Sequence, residues 1–173
     1  MTLSRNLTPI SGVGVIAAVA GEPVKVGPIG PGMVGTATPF GHGGVAQGES
    51  INAVAALGGA PVAVLRISFA DTRERHRTLS HHTVVALSKV ALAPATVVVP
   101  PLPSDQAAQI EAALSEAGAW RLHERAEGLA TEIPTHALRG IQPRSMRRTL
   151  GDDPAFFLAA YSAGEVAAAL ASA

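Results

Sequence analysis

The sequence predicts an α/β fold: a single three-layer domain with a mostly parallel sheet and crossover helices, ending in a C-terminal α-helix. Short apolar runs alternate with helical patterns along most of the chain, as in parallel sheets whose strands are joined by helices. The 173 residues, 47% hydrophobic and 15% charged, suffice for one domain (1–173) with its own core. The two segments richest in glycine and in polar residues each follow a predicted strand, where such folds place their ligand sites.

The elements follow in chain order. Valine, isoleucine and alanine predict strands over residues 13–19 and 23–26, with residues 1–11 a disordered or edge segment. Arg5 precedes an apolar run, 12–20, that ends in the Ala18-Val19-Ala20 pattern of a signal-peptidase site. Pro9, Gly12 and Gly14 break that run, so it reads as a buried strand and the chain as cytoplasmic. A helix over 44–57 sets Ile51, Val54 and Ala55 on one face, and Gly58 stops it in the left-handed conformation. The clearest strand, 62–67, carries Val62, Val64, Leu65 and Ile67. Ser80 caps a mostly apolar helix that runs through Val84, Leu87 and Ala91 to Pro94, and a strand over 95–99 follows. Ser104 caps the next helix, whose stripe of Ala107, Ile110, Leu114 and Ala117 is closed by Gly118. A short strand over 120–123 leads into an irregular, partly helical connection, 125–151, of mixed charge with two prolines. The last helix, 152–172, has Asp153 as cap and Pro154 at its first helical position. It carries Phe156, Phe157, Leu158, Tyr161 and Val166 on an alanine-rich rod that packs on the domain or drives homo-oligomerisation.

Composition narrows the function classes. Thirteen basic residues balance thirteen acidic ones, so no net field draws the chain to nucleic acid or to an anionic membrane. Eleven of the basic residues are arginine, which reflects genome composition as readily as anion recognition. The absence of cysteine excludes disulfides, thiolate metal sites and cysteine nucleophiles. At 3% aromatic, the chain is too poor in rings for single-strand stacking platforms. No stretch approaches the roughly 20 apolar residues of a membrane span. Neither nucleic acid nor membrane is therefore an expected partner.

The first candidate site segment is the glycine-rich loop 27–44. Glycines at this density let the main chain approach a ligand, and successive N–H groups ahead of a helix form an anion-binding nest. Gly30, Gly32 and Gly35 formally match G-x-G-x-x-G, but Thr36-Ala37-Thr38-Pro39 follows where a dinucleotide fold needs a helix. No acidic residue stands at the ribose position and no P-loop is present, so no cofactor is assigned. Gly30, Gly32, Gly35, Thr36, His42 and Ser50 are the candidate ligand-binding residues here. Gln47, Glu49 and Asn52 add donors and acceptors at the helix start. The competing reading is a connection whose glycines serve packing alone.

The second segment, 68–82, carries Asp71, Arg73, Glu74, Arg75, His76, Arg77, Ser80, His81 and His82. It and the glycine loop would line one crevice, with Arg73 and Arg75 pairing with an anion and Ser80 contributing to binding. His76, His81 or His82 would act as acid or base, oriented by Asp71 or Glu49. Three of the six histidines lie within seven residues, which invites a metal with Asp71 or Glu74 as carboxylate ligand. Against it, adjacent His81 and His82 diverge by about 100° on a helix, and His76 and His82 match no helical ligand pair. No metal ligand is therefore assigned. The plainer reading is an ion-paired turn with histidines as polar caps. Ser50, Ser68 and Ser80 lack the nucleophile-elbow context of a serine hydrolase.

On the glycine motif 30–36, the helix start 44–52, residues 71–76 and Ser80-His81-His82, the stretch 27–100 resembles the core of an uncharacterised bacterial family classed only as a domain of unknown function. The resemblance implies soluble proteins without assigned activity. It also implies longer members with a further glycine- and acid-containing region ahead of the loop, so that this chain is a truncated or shortened version. Three functions follow as expectations. The first is binding of a small anionic ligand, phosphorylated or not, by a metal-independent enzyme. The second is a non-catalytic subunit or oligomerisation module, and the third a His/carboxylate metal-dependent enzyme. Whether the chain is an enzyme is left open.

Overall fold

Valine-rich strands with helices on both faces form a five-stranded sheet in the computed structural model, which describes residues 14–18, 25–28, 35, 36 and 38–172. Its strands are β1 (Gly14–Ala18), β2 (Lys25–Pro28), β3 (Ala60–Val64), β6 (Thr96–Val99) and β7 (Glu124–Glu127), in the order β2-β1-β3-β6-β7. β3, β6 and β7 run parallel, and β1 is antiparallel to both β2 and β3. Four of the five strands thus share one direction. The expected strands 13–19 and 23–26 fall partly outside the described residues, as do residues 1–11.

Alternation along β3 and β6 builds the layers, because successive side chains face opposite ways. Ala63, Val97 and Val99 face one side, where Ile51, Leu87, Ile110 and Leu114 pack on them. These come from α1 (Ala46–Ala56), the turn after α2 (His81–Val85) and α3 (Ser104–Glu116). Val62, Val64 and Val98 face the other side and meet Ala163 and Ala167 of α5 (Pro154–Ala171). α5 is the longest and most apolar helix described, with mean hydropathy 1.3 over 18 residues. It presses an alanine face onto its own sheet.

Several stop signals sit where the sequence predicts them. Gly58, at φ +78°, ends α1, its N–H bonding to Ala55 C=O while Gly59 N–H bonds to Val54 C=O. Gly118, at φ +73°, follows α3. Ser80 Oγ accepts from the His82 N–H at the head of α2. The helix begun there widens into a π-type turn over Ala86–Val90 and ends before Ala91.

Three boundaries differ. The strand expected over 62–67 ends at Val64, and Ile67–Ser68 (β4) leaves the main sheet to pair with Thr78–Leu79 (β5). The strand expected over 120–123 is a tight turn, Ala119–Arg121, which buries Ala119 and sends Trp120 Nε1–H to Glu111 at 2.8 Å. β7 begins beyond it at Glu124, whose N–H bonds to Ala95 C=O. Ser104 is the first residue of α3 rather than its cap, since Pro103 C=O accepts from Ala107 N–H and no side chain caps the helix. The connection 125–151 holds β7, the short α4 (Thr135–Leu138) and the two-residue strands β8 (Arg144–Ser145) and β9 (Arg148–Thr149).

Candidate functional site

The register brings both candidate segments to one edge of the sheet. Gly14 pairs with Pro28 on one side and Val64 on the other, so β2 and β3 end level. Gln47 Nε2–H then donates to the last carbonyl of β3, Val64, at 2.9 Å and holds the start of α1 there. Arg66 N–H donates to Thr83 Oγ1 at 3.2 Å, which holds the start of α2 beside it.

Gly30 and Gly32 lie outside the described residues. Gly35 pairs with His42 across a tight excursion in which Thr36 N–H bonds to Gly41 C=O and the Thr36 and Thr38 hydroxyls lie 2.9 Å apart. A Cβ at Gly41 would overlap the Thr36 hydroxyl, so a side chain there would displace the Thr36 and Thr38 hydroxyls. The excursion delivers His42, 5% exposed, to the head of the turn Gly43–Val45 that feeds α1.

In the second segment Asp71, 2% exposed, is a hub for arginines. Arg73 makes a two-pronged contact, Nε to Oδ1 at 3.0 Å and Nη2 to Oδ2 at 2.8 Å. Arg148 Nη2 reaches Oδ2 at 3.2 Å, and Arg66 Nη2 stands 4.0 Å away. The Arg73 hydrogen bonds outweigh burial and hold the Asp71 carboxyl far below the usual carboxylate range. Asp71 is thus placed with arginines rather than with a histidine, and the charge of Arg73 is spent on it. Glu49 is exposed on α1, Glu74 is exposed, and Ser50 Oγ–H donates to Ala46 C=O within its own helix.

Four histidines meet between the two segments. His42 stacks on His82 with centroids 4.0 Å apart and planes 14° apart; His81 lies 4.3 Å from His82 and 5.1 Å from His42. His76 packs edge-on against His82 at 4.7 Å. Gly44 makes this approach possible, because a Cβ there would stand 2.8 Å from both His42 Nδ1 and His82 Cβ. Burial pushes all four imidazoles below their ordinary value, with neighbouring positive charge adding to it; His76 and His82 fall to about 3. They are neutral rings at pH 7.

The four differ in what their nitrogens do. His76 Nδ1 faces Arg66 Nη1–H at 3.3 Å and Ser80 Oγ at 2.8 Å. Guanidinium only donates, so Nδ1 is the acceptor and the proton of neutral His76 sits on Nε2. By contrast, both ring nitrogens of His42, Nε2 of His81 and Nδ1 of His82 are buried without a hydrogen-bond partner. Remote His123 shows the satisfied alternative: Nδ1 accepts from Ala95 N–H and Nε2 donates to Leu87 C=O. His42, His81 and His82 each offer one ring nitrogen within 4.8 Å of the others. The adjacent pair, divergent by sequence reasoning, is completed by a third histidine some forty residues earlier.

An open cleft of about 340 Å³ lies over this cluster, lined by Thr36, Thr38, Pro39, Arg75, His81 and Val85. Of the predicted residues it brings together Thr36, Arg75 and His81, with His42, His76 and His82 behind; Asp71, Arg73, Glu49 and Ser50 are not in its lining. Sequence reasoning missed Thr38, Gly44, Arg66 and Arg148. Arg66 carried a signal: a cation inside an otherwise buried apolar run must find a partner.

A family model described as a protein of unknown function, DUF3866, matches residues 6–164, extending on both sides beyond the stretch 27–100 on which the resemblance rests. No curated protein and no solved structure matches the chain. Matched from ahead of β1 into α5, the chain belongs to the DUF3866 family of proteins of unknown function.

Proposed function

We propose that the cleft binds a small anionic ligand of the carboxylate or phosphate class. The observation that carries this reading is Arg75. It lines the cleft and, among the described residues, makes no ion pair, whereas Arg66, Arg73 and Arg148 all converge on Asp71. Its charge is felt across the cleft, where it helps to lower the pKa of His42 and His81. Thr36 and Thr38 also line the cleft, their hydroxyls bonded to each other so that one remains as a donor. Arg73, assigned the same role from the sequence, would act indirectly by fixing Asp71 and the loop that carries Arg75. In a reaction without metal, His81 is the group able to take a proton from the bound ligand. It lines the cleft and is neutral at pH 7, and its buried, unpartnered Nε2 would reach the ligand on rotation of the ring. Oligomerisation through α5 has less support, since α5 buries Ala163 and Ala167 on its own sheet and leaves Leu170 as its exposed large apolar side chain.

Calorimetric titration of chelator-treated protein with inorganic phosphate and with succinate tests the reading. Binding of either, lost in Arg75→Ala and retained in Arg121→Ala on the exposed surface, is the expected result. Equal binding by Arg75→Ala, or no binding of either anion, overturns it.

A further inference from the structure

Four ring nitrogens buried without hydrogen bonds on three touching side chains call for an explanation. Each unmet polar atom costs about 1–3 kcal/mol, and native proteins rarely leave such atoms idle. The same chain satisfies both nitrogens of His123, so burial of histidine does not by itself produce orphans here. What His42, His81 and His82 have in common is a ring nitrogen within 4.8 Å of the others'.

We infer that His42, His81 and His82 form a three-histidine site for a divalent late transition-metal ion of the zinc class, its open position facing the cleft. Their nitrogens lie within 4.8 Å of one another, against about 3.4 Å for neighbouring ligands around a tetrahedral ion with bonds near 2.0–2.1 Å. Closing that gap requires the stacked His42 and His82 rings to turn toward each other about their side-chain torsions. Neutral imidazole is the form that coordinates, and burial keeps these rings neutral. A donor set of nitrogen alone selects zinc, iron, copper or nickel over magnesium or calcium, which prefer oxygen.

The surroundings suit ligation. The Pro39 carbonyl lies close enough to favour an N–H on one His42 nitrogen, though outside hydrogen-bond geometry, and this frees the other nitrogen for the ion. Ser80 fixes the backbone at His82 and holds His76 against the cluster. Three protein ligands beside an open cleft make the arrangement of a catalytic rather than a closed structural site. Arg75 would then hold an anion at the position where the ion could polarise it, and His81 would serve as ligand instead of base.

The metal-free 173-residue chain titrated with Zn(II) tests this, with long-range proton–nitrogen NMR of the histidine rings as the site readout. The expected result is one equivalent bound, with shifts at His42, His81 and His82 and none at His123 or His136. His42→Ala and His82→Ala should each weaken binding by at least about 100-fold, the upper end of what loss of an outer partner costs. His136→Ala, on the exposed surface, should bind zinc as the parent does, and Arg75→Ala should still bind one equivalent. Retention of zinc by Arg75→Ala separates this site from the anion reading, which can fail without it. No stoichiometric binding to the parent chain, or ring shifts confined to other histidines, overturns the inference even where an alanine variant fails to fold.

Discussion

His76 and His82 give the metal-free chain a defined acid sensitivity. Both are depressed to about 3 from an ordinary 6.5, so between those values the unfolded chain binds protons that the folded chain refuses. Stability therefore falls as pH falls through that interval, at up to about 1.4 kcal/mol per pH unit for each ring. Asp71 acts elsewhere. Its lowered pKa contributes stability fully above 3.8, lost only as pH falls below that value. Urea unfolding at pH 7 and pH 5 thus isolates the histidines, and a loss of several kcal/mol is expected at the lower pH. Equal stability at the two values would mean that the rings are solvated and the cluster open. Asp71 has its own test. Asp71→Asn leaves Arg66, 7% exposed, without its nearest countercharge while Arg148 keeps Asp153, and a loss of about 3–5 kcal/mol in urea unfolding is expected. At this scale the sequence was legible for residue type and blind to partner. It picked out Asp71, Arg73 and the histidines, but nothing in a one-dimensional pattern says that Arg73 folds back onto Asp71 while Arg75, two residues on, faces a cleft.

Among the elements, α1 shows why local signals were readable and close packing was not. Its C-terminal stop depends on Gly58 alone, with φ +78° and nothing within 4 Å of a would-be Cβ, so the cost of a side chain there is purely conformational. Gly58→Ala should cost about 1 kcal/mol in urea unfolding. Gly48 looks equally innocuous in the sequence, an isolated glycine in a helix. In the fold a Cβ there would meet Val90 Cβ at 2.6 Å and Ala86 C=O at 2.8 Å, both on the π-type turn that follows α2. Gly48→Ala gains helix propensity and should nevertheless destabilise by about 1–3 kcal/mol, because α1 is forced away from that turn. The reversed order, with Gly58→Ala the costlier, would show that α1 and the π-type turn separate easily. Caps and left-handed stops act over three or four residues, which is why Gly58, Ser80 and Pro154 could be placed beforehand. The end of β3 at Val64 could not, because it depends on Ile67 and Ser68 finding β5 eleven residues on.

For the whole molecule, the candidate site is tied to the helix on the far face of the sheet through Arg148 and Ser68, which share Asp153 at its start. Arg148, on β9 in the stretch read as an irregular connection, places Nη2 on Asp71 at 3.2 Å and Nε on Asp153 at 3.0 Å. Asp153 was expected to cap α5. It stands at the cap position but sends its carboxylate to Arg148 and to Ser68 Oγ–H at 2.6 Å, making no cap bond. The start of α5, the β4–β5 arm and the histidine-bearing segment therefore share one buried charge cluster. Both carboxylates are 2% exposed; removing the guanidinium leaves Asp71 to Arg73 and Arg66 but strips buried Asp153 of its ion pair, with Ser68 Oγ–H alone remaining. Arg148→Met, close in length and apolar, should lower global stability by about 3–5 kcal/mol. It should also raise hydrogen exchange at Ser80 and His82, whose amides are held by short-range bonds within the arm, before exchange rises at Val97 and Val98 in the centre of the sheet. Uniform loss of protection would instead mean that α5, the arm and the sheet unfold as one unit, and that Arg148 couples the site to nothing more specific than the core.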